Sequence, residues 1–174
     1  MPRKAPKAES DVASEPRRRL PRKSALLSGV VADLNGEQAS DCTIADINAG
    51  GAAIGTTRKL PIGAQVYLLD TGNRAAHLAR VVWTNINANR SGLAFLRSHA
   101  MGPGLPPRMR VLWRLLVEAK LRQADRAVAM GIDAELALGT VGLTREHVHQ
   151  MARYANGDKR FLQLLHRVEH LLDD

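Results

Sequence analysis

Between Ser24 and Phe95 the hydrophobic positions come in short runs, each broken by a cluster of turn formers. ALLSGVVADL precedes NGEQ, DCTIADI precedes NAGG, AAIG precedes PIG, QVYLL precedes DTGN, HLARVVWTN precedes NANRSG, and LAFL follows. Short apolar runs at this spacing, punctuated by Gly, Asn and Asp, predict an all-β sandwich or barrel. The pattern stops at MGPGLPP, where Pro103, Pro106 and Pro107 with Gly102 and Gly104 end any sheet. Beyond it the period lengthens. Met109, Leu112, Leu116 and Ala119 recur at helical spacing, as do Val148, Met151, Ala152 and Ala155, while Phe161, Leu164, Leu165, Val168, Leu171 and Leu172 make a complete stripe. Gly131 is placed to close a helix ending near Met130, and Asp158 to cap the last helix after the Asn156-Gly157 turn. The expected fold class is therefore β-rich α+β, a small β unit followed by a C-terminal helical segment.

Composition sharpens the division. The chain has 174 residues, 45% hydrophobic and 24% charged, an ordinary globular make-up long enough for one to two domains. Residues 1–16, MPRKAPKAESDVASEP, hold almost no large apolar residue and cannot offset their ordering entropy by burial, so they read as a disordered basic arm. The β unit is expected over residues 17–98, with an arginine loop at its start, and the helical region over 106–174. Whether that region packs on the β unit or stands apart, the sequence leaves open. A single cysteine, Cys42, rules out an internal disulfide and any thiol-built zinc site, and fits a reducing compartment. No apolar run approaches the roughly 18–20 residues of a membrane span, and no apolar stretch follows the basic N-terminus to make a signal peptide. The expected location is cytoplasmic.

The formal net charge of +8 favours an anionic partner without choosing one. Residues 1–23 hold eight cations and three anions, which places five of those eight net charges in the first 23 residues. Aromatics number only six and are scattered, too few for the stacking platforms of single-stranded nucleic-acid binders, so a nucleic-acid partner would rest on charge alone and is not expected. The densest cationic stretch is Arg17-Arg18-Arg19-Leu20-Pro21-Arg22-Lys23. Pro21 fixes its own φ and biases Leu20 toward extended geometry, so Arg18 to Arg22 reads as a semi-rigid loop presenting guanidinium planes. A guanidinium can stack on a purine, or bond guanine O6 and N7 or a phosphate bidentately, which suits a guanine nucleotide carrying phosphates. About two dozen residues on, DINAGG joins two predicted strands. There Asp46 offers a carboxylate for a guanine N1/N2 edge, Asn48 an amide, and Gly51 a position for positive φ or close ligand approach.

With these two motifs the sequence resembles the PilZ domain family, bacterial second-messenger receptors for cyclic di-GMP. The family pattern is an RxxxR loop before a small antiparallel barrel, then a D-x-S-x-x-G turn, a V-x-W strand and a closing G-x-x-F. RRLPR supplies Arg18 and Arg22, DINAGG supplies Asp46 and Gly51, VVW ends at Trp83, and GLAF supplies Gly92 and Phe95, covering roughly residues 17–97. The family's serine is Asn48 here, a larger amide that still hydrogen-bonds but fills more of the turn. The resemblance implies a six-stranded antiparallel β-barrel and a binding module without a cofactor. It also implies a ligand site for cyclic di-GMP at Arg18, Arg19, Arg22, Asp46, Asn48 and Gly51. The arginine loop would order over the ligand, and the C-terminal helices would signal to a protein partner. The alternative is a PilZ-like interaction module that has lost the nucleotide, motivated by Asn48 and by the long helical segment.

The remaining chemistry-bearing residues have plainer expected roles. Cys42 reads as a buried small hydrophobe and Trp83 as barrel core. His166 with His170, and His147 with His149, have suggestive spacing but no completing ligands, so no metal is expected. No G-x-S-x-G, Walker loop, G-x-G-x-x-G or H-E-x-x-H occurs, and no enzyme activity is expected.

Overall fold

The apolar runs become six strands: β1 Lys23–Ala32, β2 Ala39–Asn48, β3 Gly51–Gly55, β4 Gln65–Asp70, β5 Ala75–Asn85 and β6 Arg90–Ala100. In the computed structural model, which describes residues 23–155 and 157–174, they close into a barrel in the order β1-β2-β3-β6-β5-β4. All six neighbouring pairs are antiparallel. A 3-10 turn at Pro107–Met109 leads into α1 Val111–Ala129, α2 Ala134–Thr140, α3 Arg145–Ala152 and α4 Lys159–Asp173. The expected arm over residues 1–16 lies outside the described residues.

Two hydrophobic cores form, and strand alternation explains both. Val31, Ile44, Ala52, Ile54, Leu68, Val81 and Leu93 fill the barrel. Residues of opposite parity on β1, β4 and β5, namely Val30, Ala32, Tyr67, Leu69, Ala76 and Leu78, form a second core with Leu112, Trp113, Leu116, Phe161 and other helical residues. A strand buried on both faces reads as a near-continuous apolar run, which is why GVVA and VYLL do not alternate. The helical region therefore packs on the barrel. Polar ties reinforce the contact from the β1–β2 hairpin. Arg122 pairs with Asp41 at 2.7 Å, Arg160 with Glu37 at 3.4 Å, and the buried Arg114 reaches the Gly36 carbonyl at 3.5 Å.

The helix ends follow capping chemistry. Gly131, at φ +91°, follows the end of α1, a left-handed geometry that glycine adopts without steric cost. Asp158 accepts the Phe161 N–H at 3.1 Å at the start of α4. α2, begun by Asp133 accepting the Leu136 N–H at 3.1 Å, is not foreseen from the sequence, because its seven residues bury only Ala137 and Leu138 and show no stripe.

Trp83 departs from expectation. A β-bulge between Val81 and Trp83 breaks the alternation, so the indole does not follow Val81 into the barrel. It is half-buried and lies across Gly92, where an added Cβ would meet Trp83 Nε1 at 1.9 Å. Cys42 is buried as expected, and burial pushes its thiol up to about 12, a protonated and unreactive state.

Candidate functional site

The DINAGG segment spans the end of β2, a tight turn and the start of β3. Asn48 closes the turn with its own side chain: Oδ1 accepts the Gly50 N–H at 2.7 Å and the Gly51 N–H at 3.0 Å. This is the local amide bonding that makes Asn a turn former. The Gly50 carbonyl then accepts the Phe95 N–H at 2.9 Å, tying the turn to β6. Gly51 is required for a reason other than positive φ, which it does not have. An added Cβ would stand 2.1 Å from the Leu93 carbonyl oxygen, so only glycine lets β6 approach this closely.

Strand register gathers further residues onto the same face. Ser24, Asp46, Ala53, Gly92 and Trp83 form one row across β1, β2, β3, β6 and β5. Asn48, Gly51, Ala94 and Arg80 form the adjacent row. Their neighbours Ala52, Ile54, Leu93 and Val81 point into the barrel, so Asp46, Ala53, Gly92 and Trp83 of the first row and all four of the second face outward. The result is a flat floor of Gly51, Ala53, Gly92 and Ala94. Asp46 and Asn48 border it on one side, and the Trp83 indole and the exposed Arg80 guanidinium on the other. Sequence reasoning finds Asp46, Asn48 and Gly51, and the structure brings these three together. It misses Arg80 and the position of Trp83, for which the only local hint is the run of small residues at Ala52-Ala53 and Gly92. Arg18, Arg19 and Arg22 lie outside the described residues.

Beneath the turn, His77 stacks on Phe95 with ring centroids 4.0 Å apart and planes 7° from parallel. Its Nδ1 lies 2.7 Å from Ser98 Oγ. Three of the four helical histidines have contacts within the helical region. His166 lies 3.6 Å from Glu169, and His147 and His149 bond Thr144 Oγ1 and the Arg145 carbonyl. Among the described residues no group of three or more His, Cys, Asp or Glu could hold a metal ion, and no helix is long and apolar enough to cross a membrane.

Comparison with known proteins bears on the barrel half of the chain. Residues 16–101 match the model of the PilZ domain family, which is a family of cyclic di-GMP receptors. Among solved structures, the PilZ domain of CeSA from a cellulose-synthesizing bacterium is 22% identical, covering 58% of this chain and 99% of its own, with a TM-score of 0.36. No curated protein matches the chain. With six antiparallel strands closed into a barrel and the Asp46–Gly51 turn at one end of it, residues 16–101 of this chain belong to the PilZ domain family.

Proposed function

We propose that the chain is a cyclic di-GMP receptor that holds the dinucleotide against the outer face of its barrel at the β2–β3 turn. The arginine loop ahead of β1 closes on the ligand, and the helical region carries the signal to a protein partner. Strand register is the observation that carries the reading. β1 begins at Lys23 paired with Ile47, and Ser24 is paired with Asp46. Peptide connectivity thus tethers Arg22 one residue, and Arg18 five residues, from the edge of the Asp46–Asn48 turn, within an extended reach of about 18 Å. The charges correspond: the guanidiniums of Arg18 and Arg22, with Arg19 beside them, meet the two phosphates. Asp46 accepts the guanine N1 and N2 protons, and Gly51 keeps the approach open. The Trp83 indole offers an apolar plane for a purine, a role its bulged position on the outer face supports. Binding supplies the energy that orders the loop. No cofactor enters, and the module binds without catalysing. A cytoplasmic address fits the single, closed thiol of Cys42.

The test is isothermal calorimetry with cyclic di-GMP. Saturable heats are expected for the unaltered protein and none for the Arg18→Ala/Arg22→Ala double variant. A second reading, a PilZ module that has lost the nucleotide, draws on Asn48, whose amide oxygen is committed to closing its own turn. Flat heats with unaltered protein at high ligand concentration would decide for that reading.

A further inference from the structure

A cleft of about 570 Å³ runs between the C-terminal half of α1 and the outer face of β1 and β2, within the roughly 300–1,000 Å³ typical of small-ligand sites. Its barrel wall carries the hydroxyls of Ser28, Thr43, Thr57 and Thr71, and its helical wall carries Gln123 and Arg126. Its position relative to the turn matters most. Ser28, Thr43 and Gly55 are paired across β1, β2 and β3. They form the next outward-facing row after Asp46 and Ala53, because the intervening Ile44 and Ile54 belong to the barrel interior. The cleft therefore begins where the candidate nucleotide face ends.

Helix α1 is held over this cleft. Arg122 Nη2 donates to Asp41 Oδ1 at 2.7 Å, which anchors the helix one residue before Gln123. Gln123 and Arg126 are three residues apart and share a helix face. The Asp41 carboxylate is thus engaged by Arg122, while Arg126 has no ion-pair partner among the described residues. Neutral hydroxyls and an amide, with one guanidinium fork at the rim, match a ribose and a purine edge rich in acceptors.

We infer that the cleft receives the second guanylyl half of the dinucleotide, with the Arg126 fork on guanine O6 and N7 and the Thr43 and Thr57 hydroxyls on ribose and phosphate, the Thr71 hydroxyl being donated to the Ser28 carbonyl at 2.9 Å. The inference rests on the receptor reading above and extends it, because it makes α1 part of the binding site. The helical region then senses occupancy by direct contact. Asp46 grips one base on the barrel and Arg126 the other from the helix, so the ligand bridges the two cores.

Calorimetry with cyclic di-GMP on the full chain tests this, comparing unaltered protein with Gln123→Ala/Arg126→Ala and with Arg153→Ala, a cation outside the cleft. The double variant is expected to weaken binding about tenfold, the scale of a hydrogen bond to a charged group, while Arg153→Ala leaves affinity unchanged. Gln123 and Arg126 are exposed, so the thermal midpoint should hold in both variants. Arg126→Lys, which keeps the charge and lacks the fork, is expected to lose most of the same affinity. Unchanged affinity in the double variant would overturn the cleft assignment and leave the receptor reading standing. Equal weakening by Arg153→Ala would overturn it in favour of long-range charge. Flat heats with unaltered protein would instead overturn the receptor reading itself, and the cleft occupant with it.

Discussion

His77 is the residue through which the barrel interior meets the turn. Its ring supports Phe95, and the Phe95 N–H holds the Gly50 carbonyl. Its Nε2 is buried with no hydrogen-bond partner among the described residues, so the site accommodates the neutral ring. Burial holds the imidazole below its ordinary 6.5, against the opposing pull of the Asp70 carboxylate. The unfolded chain takes up this proton near 6.5 and the native protein only at lower pH. Between those two values the unfolded state binds more protons, so stability falls as pH falls, and above the window the term is flat. The urea midpoint is expected to be lower at about pH 5.5 than at about pH 7.5, with a smaller difference in His77→Gln. An equal pH difference in the variant would show that other groups carry it.

At the scale of elements, the candidate face depends on how closely β6 lies against β3. One glycine sets that spacing, and a second lets a β5 side chain lie across β6. Gly51 admits the Leu93 carbonyl, and Gly92 admits the Trp83 indole. Gly51→Ala cannot be absorbed by moving a flexible side chain, because the obstructing atom is backbone. Overpacking of this kind costs about 1–3 kcal/mol, and in a chain of this size each kcal/mol lowers the thermal midpoint by about 2–4 °C. Calorimetric melting should register that drop, and an unchanged midpoint would mean that β3 and β6 can separate freely. The helices depend on short polar caps, Asp133, Thr144 and Asp158, each accepting an N–H of the first turn. Such caps contribute about 1 kcal/mol apiece.

For the whole molecule, the decisive feature is the shared core between barrel and helices. Removing the helices would expose Val30, Ala32, Tyr67, Leu69 and Leu78, which are buried together against α1 and its neighbours. An apolar face of that kind drives association. A fragment ending at residue 105 is therefore expected to aggregate or to lose its cooperative melt, as read by light scattering and circular dichroism. A monomeric fragment melting at the same temperature as the full chain would show that the barrel does not rely on the helices.

Local chemistry made much of this protein legible. Turn formers at close spacing announced the strands, Pro103 to Pro107 marked the change of period, and Asp158 and Gly131 stood where helix ends require them. Asp46, Asn48 and Gly51 were readable because a turn keeps its residues together in sequence. Arg80 and Trp83 were not, because their adjacency to Asp46 crosses three intervening strand pairings and a bulge that resets the parity of β5. The unbroken apolar runs of β1 and β4 signalled burial on both faces, yet what covers the outer face is a long-range choice. Sequence alone determined the elements and the turn, since those depend on neighbours a few residues apart. Only the closed register and the docking of α1 decided which distant side chains share one face, because that is set by packing between segments far apart in the chain.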